Sequence, residues 1–286
     1  CLLDTDNEQD FNPDIFIGRI PAQTIEQAEN HIANFKEYEK QPYRPWNKSE
    51  LFLSGGLDKS EIVIFSSLGY LLTDEPLYSL ANPPFCGSPS KIIKQDPNDF
   101  NKDGGIIKQA INKGSMWTNY LGHGSVTTLG MDGWNVDRLN NKGKLGFLTT
   151  ISCNTGAFAQ PDVISRNEEY IFELGKGFIA SAGSSSGGPV DVNKFLILDM
   201  FKNVSDSTIC MRTLSQITAI SRGKLGSEKY LRDIAYQFNL LGEPLIELKI
   251  AKKTELYFYD SEISFLNEKG LNFYTEDDSI IRISGI

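Results

Sequence analysis

The chain has 286 residues, of which 40% are hydrophobic and 23% charged, the balance of a soluble globular protein with material for a sizeable core. Its 28 basic and 37 acidic residues leave a formal charge of −9, and an acidic surface repels phosphate, which speaks against nucleic acid as a main partner. No apolar run approaches the roughly 18 residues that a membrane helix needs, and the opening Cys1-Leu-Leu-Asp-Thr-Asp6 lacks the basic start and apolar stretch of a signal peptide.

Along the chain, Asp14 to Ile20 reads as a short buried strand ended by Pro21. Thr24 and Gln27 form a capping box for a helix to about Lys40, with Ile25, Ala28, Ile32, Phe35 and Glu39 at helical spacing. Residues 50 to 54 read as a second strand running into Gly55-Gly56, and 61 to 71 as a helix. The Pro- and Asn-rich stretch from 82 to 101 reads as a surface connection. A short helix over 104 to 112 closes at Gly114. Strands follow over 115 to 121, 145 to 152 and 177 to 182, then helical patterns near 191 to 203, 207 to 222 and 227 to 238. This alternation predicts an α/β fold with a largely parallel, buried sheet. From about residue 251 the pattern turns to short strand-like runs without helices, at 255 to 259, 263 to 265, 271 to 274 and 280 to 283.

The cysteines are Cys1, Cys86, Cys153 and Cys210; no two are spaced as a zinc pair, and four so scattered do not read as a disulfide framework. The histidines are only His31 and His123, so histidine chemistry must use one of them. His123 stands between Gly122 and Gly124 directly after an apolar strand, and Cys153 closes the next strand thirty residues on. In open α/β sheets functional groups collect at the C-terminal strand ends. Neighbouring parallel strands would therefore bring thiol and imidazole together, the pair that nucleophilic cysteine catalysis requires. Read singly, His123 is equally a turn histidine and Cys153 a small buried hydrophobe. His31 reads as a partly buried or surface residue of the first helix. The run Asp4, Asp6, Asp10 resembles a calcium-loop fragment without its closing Glu and central Gly, so a solvated acidic loop is the alternative to a structural calcium ion.

These segments together resemble the caspase-like cysteine peptidases, and in detail the gingipain family of bacterial endopeptidases. Four stretches carry the resemblance in the family's order: Pro13-Asp-Ile-Phe-Ile-Gly-Arg-Ile-Pro-Ala22, Tyr120-Leu-Gly-His-Gly-Ser125, Ser152-Cys-Asn-Thr-Gly-Ala-Phe158 and Phe238-Asn-Leu-Leu-Gly-Glu-Pro244, the last with Glu243 where the family has Asp. The resemblance covers 13 to 250. It implies a caspase-like three-layer catalytic subdomain over 1–250, followed at 251–286 by the start of an immunoglobulin-like β domain. The family's preceding smaller subdomain is missing, which implies a processed, truncated or partial chain with that subdomain or a companion chain as partner.

The resemblance further implies Cys153 as nucleophile, His123 as general acid/base, and the N–H groups of Gly124 and Cys153 as the oxyanion hole. An acidic residue would orient the histidine, with Asp58 the first choice and Glu61 the second. Glu61 would alternatively favour Arg or Lys before the scissile bond, and Ser184, Ser185 and Ser186 would wall the substrate cleft. No cofactor is called for; the partners are protein or peptide substrates, and the location is secreted or cell surface. Two alternatives remain on the residues alone: a non-catalytic or maturation scaffold of the same fold, which would need neither Cys153 nor His123, and a transpeptidase using the same dyad.

Overall fold

The computed structural model describes residues 14–75, 80–81, 87–98, 104–131, 134–188, 190–205, 213–250, 271–274 and 280–283. Six strands form one sheet: β1 (Ser49–Ser54), β2 (Ser88–Ile93), β3 (Trp117–Leu121), β4 (Phe147–Ile151), β5 (Ala180–Ser184) and β6 (Phe238–Leu241), in the order β2-β1-β3-β4-β5-β6. All neighbours run parallel except β5 and β6. Every residue of β3, β4 and β5 is buried, as a sheet covered on both faces requires.

The two faces carry separate cores. On one, Phe52, Trp117, Phe147 and Ile151 pack with Phe65, Leu68 and Leu72 of α2 (Lys59–Asp74), Leu196 and Phe201 of α5 (Val190–Ser205), and Leu214 and Ile217 of α6 (Leu214–Ser227). On the other, Leu51, Leu53, Tyr120 and Leu148 pack with Ile107 and Ile111 of α3 (Gly104–Lys113) and Tyr170 of α4 (Arg166–Phe172). The result is helix, sheet, helix. A short 3-10 turn, Lys229–Leu231, and α7 (Arg232–Gln237) lead into β6. Farther on, β7 (Leu271–Tyr274) and β8 (Ile280–Ile283) pair as an antiparallel ribbon. The runs expected at 255 to 259 and 263 to 265 lie outside the described residues, as do Asp4, Asp6 and Asp10.

The first helix, α1 (Ile25–Lys40), starts at the Thr24–Gln27 capping box that its sequence predicts. Its buried stripe differs from the expected one: Ile25 and Ile32 are exposed, and His31, Asn34 and Tyr38 face inward. Each inward residue reaches backbone elsewhere. His31 Nδ1 lies 3.3 Å from the Ile171 carbonyl, Asn34 donates to Glu173 O at 2.8 Å and accepts from Gly175 N–H at 2.8 Å, and Tyr38 donates to Glu247 O at 2.8 Å. His31 is thus a core residue, 2% exposed, rather than a partly buried or surface one, and burial pushes its pKa down.

Two further expectations are corrected. Asp14 to Ile20 forms no buried strand: Ile15, Ile17 and Ile20 are exposed, and the segment makes isolated bridges, that of Arg19 with Leu241 flanked by backbone hydrogen bonds to Leu240 and Gly242. The connection expected over 82 to 101 contains edge strand β2, whose Ser-Pro-Ser start hid it. Helix α4 and strand β6 went unread because each is short.

One core group is out of balance. Glu50 on β1 is buried, its Oε1 has no hydrogen-bond partner among the described residues, and burial pushes its pKa up to about 8. The carboxyl is therefore neutral in the fold. Below the ordinary carboxylate range both states are protonated and nothing is lost; between that range and about 8 only the unfolded state ionises, and stability falls as pH rises. Glu50→Gln is expected to stabilise the protein by about 2–3 kcal/mol at pH 7 and to show no gain at pH 4, read from thermal melts at the two pH values.

Candidate active site

The strand order changes direction between β1 and β3, the switch point at which open α/β sheets place their crevice. The chain leaves the C-terminal ends of β1, β3 and β4 there, leading to Glu61 in the first turn of α2 and into the loops that carry His123 and Cys153. β3 and β4 pair from Trp117 with Phe147 to Leu121 with Ile151, and Gly122 N–H donates to the Ile151 carbonyl at 3.2 Å, carrying the ladder past the strand end. The paired strands end there, so His123 and Cys153 each follow two residues beyond the last registered pair, Leu121 with Ile151.

The imidazole of His123 is gripped by α2. Its Nε2 lies 3.1 Å and 3.2 Å from the two carboxylate oxygens of Glu61, and the Phe65 ring, one turn farther along the helix, packs against it at 5.8 Å between centroids. Glu61 itself is fixed by the Leu57 N–H at 2.8 Å. With the Nε2 proton directed to Glu61, Nδ1 is left as the ring's acceptor. The pair is partly exposed, so its worth is orientation more than stability.

Asp58, the first choice for this role, does not touch His123. It caps α2, accepting from Glu61 N–H at 2.9 Å and from the Ser60 hydroxyl at 2.5 Å; these hydrogen bonds, that of Ser60 foremost, hold its exposed carboxyl below the ordinary range. The spacing explains the exchange: the N-cap side chain turns back on the first turn, whereas Glu61 at the third helical position reaches outward.

Cys153 is a free, half-buried thiol. The next residue, Asn154, has φ 58°, the only positive φ of a non-glycine among the described residues. This left-handed step is held by Asn154 N–H on Ser186 O at 3.0 Å and Gly156 N–H on Ser184 O at 2.9 Å. Ser184 to Ser186 therefore brace the cysteine loop through their backbone. Two of the side chains are also occupied: the Ser184 hydroxyl donates to Ser186 O at 2.7 Å and that of Ser185 to Gln237 O at 3.0 Å. Beneath the loop lies a buried polar network that sequence reasoning missed. Thr150 and Thr155 share a 2.7 Å hydrogen bond, Asn167 of α4 donates to the Thr150 hydroxyl at 3.1 Å, and Asn167 N–H donates to Thr155 O at 3.0 Å. The only sequence signal was an Asn in the first turn of a helix after Ser165.

The backbone N–H groups of Gly124 and Cys153 enter no backbone hydrogen bond among the described residues. A side chain at Gly124 would collide with the Ser152 hydroxyl and lie 3.0 Å from Thr128 O, so this position requires glycine. The described residues contain no group of three or more His, Cys, Asp or Glu able to hold a metal ion. No helix among them is long and apolar enough to cross a membrane.

The family model for peptidase family C25 matches residues 1–249, and the chain belongs to that family. Solved structures agree in fold, a caspase-like one. An Arg-specific cysteine proteinase, gingipain R, superposes at TM-score 0.68 with 20% identity, over 85% of this chain and 58% of the other. The complex of Porphyromonas gingivalis RgpB pro- and mature domains follows at TM-score 0.66 and 20% identity, over 84% and 58%. The separase of the Saccharomyces cerevisiae separase–securin complex aligns at TM-score 0.50 and 15% identity, over 81% of this chain and 14% of the other. The chain thus spans 58% of the length of the gingipain chains it matches. No curated protein matches it.

Asparagine tolerates the left-handed region and a β-branched residue does not. Asn154→Gly is expected to melt with the wild type, and Asn154→Val to lose roughly 1–3 kcal/mol, measured by denaturant unfolding.

Proposed function

We propose that the protein is a cysteine endopeptidase in which Cys153 is the nucleophile and His123 the general acid/base. The reading is supported by the contact of Glu61 with Nε2 of the His123 imidazole, and by the parallel β3–β4 ladder that ends at Leu121 and Ile151, two residues before His123 and Cys153. In the first step His123 Nδ1 takes the thiol proton and the sulfur attacks a peptide carbonyl. The N–H groups of Gly124 and Cys153 receive the oxyanion. The tetrahedral species collapses with cleavage of the C–N bond, the imidazolium returns its proton to the leaving amine, and a thioester remains. Water then attacks the thioester, giving one proton to His123, and the carboxylic acid leaves as the thiol is regenerated. An amine in place of that water gives the transpeptidase outcome from the same acyl-enzyme.

Glu61 acts here by holding and charge-balancing the imidazole. Because its carboxylate is committed to His123 and Leu57, it does not serve as the acceptor for a basic substrate side chain. A preference for Arg or Lys before the scissile bond is supported instead by the charge of −9 and by the likeness to an Arg-specific proteinase. Secretion, a prodomain or a companion subdomain belong to the same proposal, supported by the family and by the complex of pro- and mature domains.

The test is turnover of a fluorogenic peptide set with Arg, Lys or neutral residues at the cleaved position, alongside a thermal melt of each variant. Cys153→Ala is expected to abolish turnover with the fold intact. Glu61→Gln is expected to lower kcat roughly 10–100-fold, and Asp58→Asn, which keeps a helix cap, to leave it unchanged. Near wild-type turnover in Cys153→Ala would overturn the reading, and loss in Asp58→Asn but not in Glu61→Gln would reverse the assignment of the orienting carboxylate.

A further inference from the structure

The carbonyl of His123 and the N–H of Gly124 belong to one peptide group, and in a planar trans peptide they point in opposite directions. Whatever holds that carbonyl therefore aims that N–H. Tyr120 does so from β3. Its phenol donates to the His123 carbonyl at 2.7 Å, and Gly130 N–H closes a triangle, donating to the same carbonyl at 2.7 Å and lying 2.8 Å from the phenol oxygen. The ring of Tyr120 is fully buried and packs on Trp134 at 5.8 Å between centroids, so the hydroxyl is delivered from a rigid base. Burial pushes the phenol pKa far up, which keeps the proton on as donor.

The surroundings are cut to fit this hydroxyl. A Cβ on Gly122 would collide with the phenol oxygen, and a Cβ on Gly130 or Gly55 would approach it to 3.0 Å or 3.2 Å. Three glycines, Gly55 after β1 and Gly122 and Gly130 after β3, thus leave room for one oxygen atom. On the opposite side of the peptide, Gly124 N–H takes no backbone partner among the described residues.

We propose that the Tyr120 hydroxyl is a positioning group that locks the His123–Gly124 peptide in the orientation presenting Gly124 N–H to the oxyanion, an inference that rests on the cysteine peptidase reading above. Without the phenol, rotation of this peptide would turn a carbonyl oxygen toward the developing negative charge and remove a donor at once. A donor to the carbonyl also polarises the peptide and strengthens its N–H as a donor.

The experiment compares wild type with Tyr120→Phe, which keeps the packed ring and deletes one oxygen. Three quantities are read: kcat and KM for a peptide substrate, the inhibition constant of a peptide aldehyde, and the rate of Cys153 alkylation by iodoacetamide. The aldehyde forms a hemithioacetal whose oxygen needs the oxyanion donors, whereas alkylation forms no oxyanion. The expected result is a kcat lower by roughly 10–100-fold, KM within about twofold, aldehyde binding weakened by a similar factor to kcat, and an unchanged alkylation rate. Turnover and aldehyde affinity within about twofold of wild type would overturn the inference while the peptidase reading stands. Alkylation falling in parallel would also overturn it, since the hydroxyl would then serve the thiol–imidazole pair or the fold at large. A wild-type protein that neither turns over peptides nor binds the aldehyde would sink the peptidase reading, and the inference with it.

Discussion

Five residues of β3 pair with five of β4 in parallel, and the register never slips between Trp117–Phe147 and Leu121–Ile151. A shift of one residue would turn every side chain of one strand to the other face and offset the starts of the loops that carry His123 and Cys153. The shift is blocked by burial on both faces: Trp117 and Phe147 stack into the core shared with α5, while Tyr120 and Leu148 enter the core shared with α3 and α4. The starting points of the loops that carry His123 and Cys153 are thus set by hydrophobic packing well below those residues. The loops refine a position that the strands have already chosen.

That refinement is divided between the two faces. On the α2 side the carboxylate of Glu61 and the ring of Phe65 hold the imidazole, and Asp58 holds the start of the helix that carries them both. On the α4 side, Thr150, Thr155 and Asn167 support the cysteine loop from beneath, and the Ser184–Ser186 backbone braces Asn154 in its left-handed turn. Buried networks of this kind are costly unless every partner is present. The sheet edge therefore couples the precision of the site to the integrity of helices on both faces.

The strand–Gly-His-Gly and strand–Ser-Cys segments were legible because both signals are local: an apolar run ends, and a chemically distinctive residue follows. Helices α1, α2, α3, α5 and α6 were legible from period and caps. The orientation of His123 was not, because Asp58 and Glu61 are both acidic and three residues apart, and only the cap geometry decides which of them turns outward. The inward face of α1 was misread for a related reason. His31, Asn34 and Tyr38 look solvent-facing by type, and their burial depends on carbonyl and amide groups near Ile171, Glu173, Gly175 and Glu247, over a hundred residues away. Edge strand β2 begins with Ser-Pro-Ser, a composition tolerated only because one side of it is unpaired.

The most direct measurement is mapping of the residue modified by a peptidyl acyloxymethyl ketone, in the wild type and in His123→Ala. The reagent requires a thiolate poised at a peptide-binding cleft, so it reports the thiol–imidazole pair without reference to turnover. The account predicts modification confined to Cys153 in the wild type and lost in His123→Ala. Modification at Cys86 or Cys210, or labelling of Cys153 at an equal rate without His123, would contradict it.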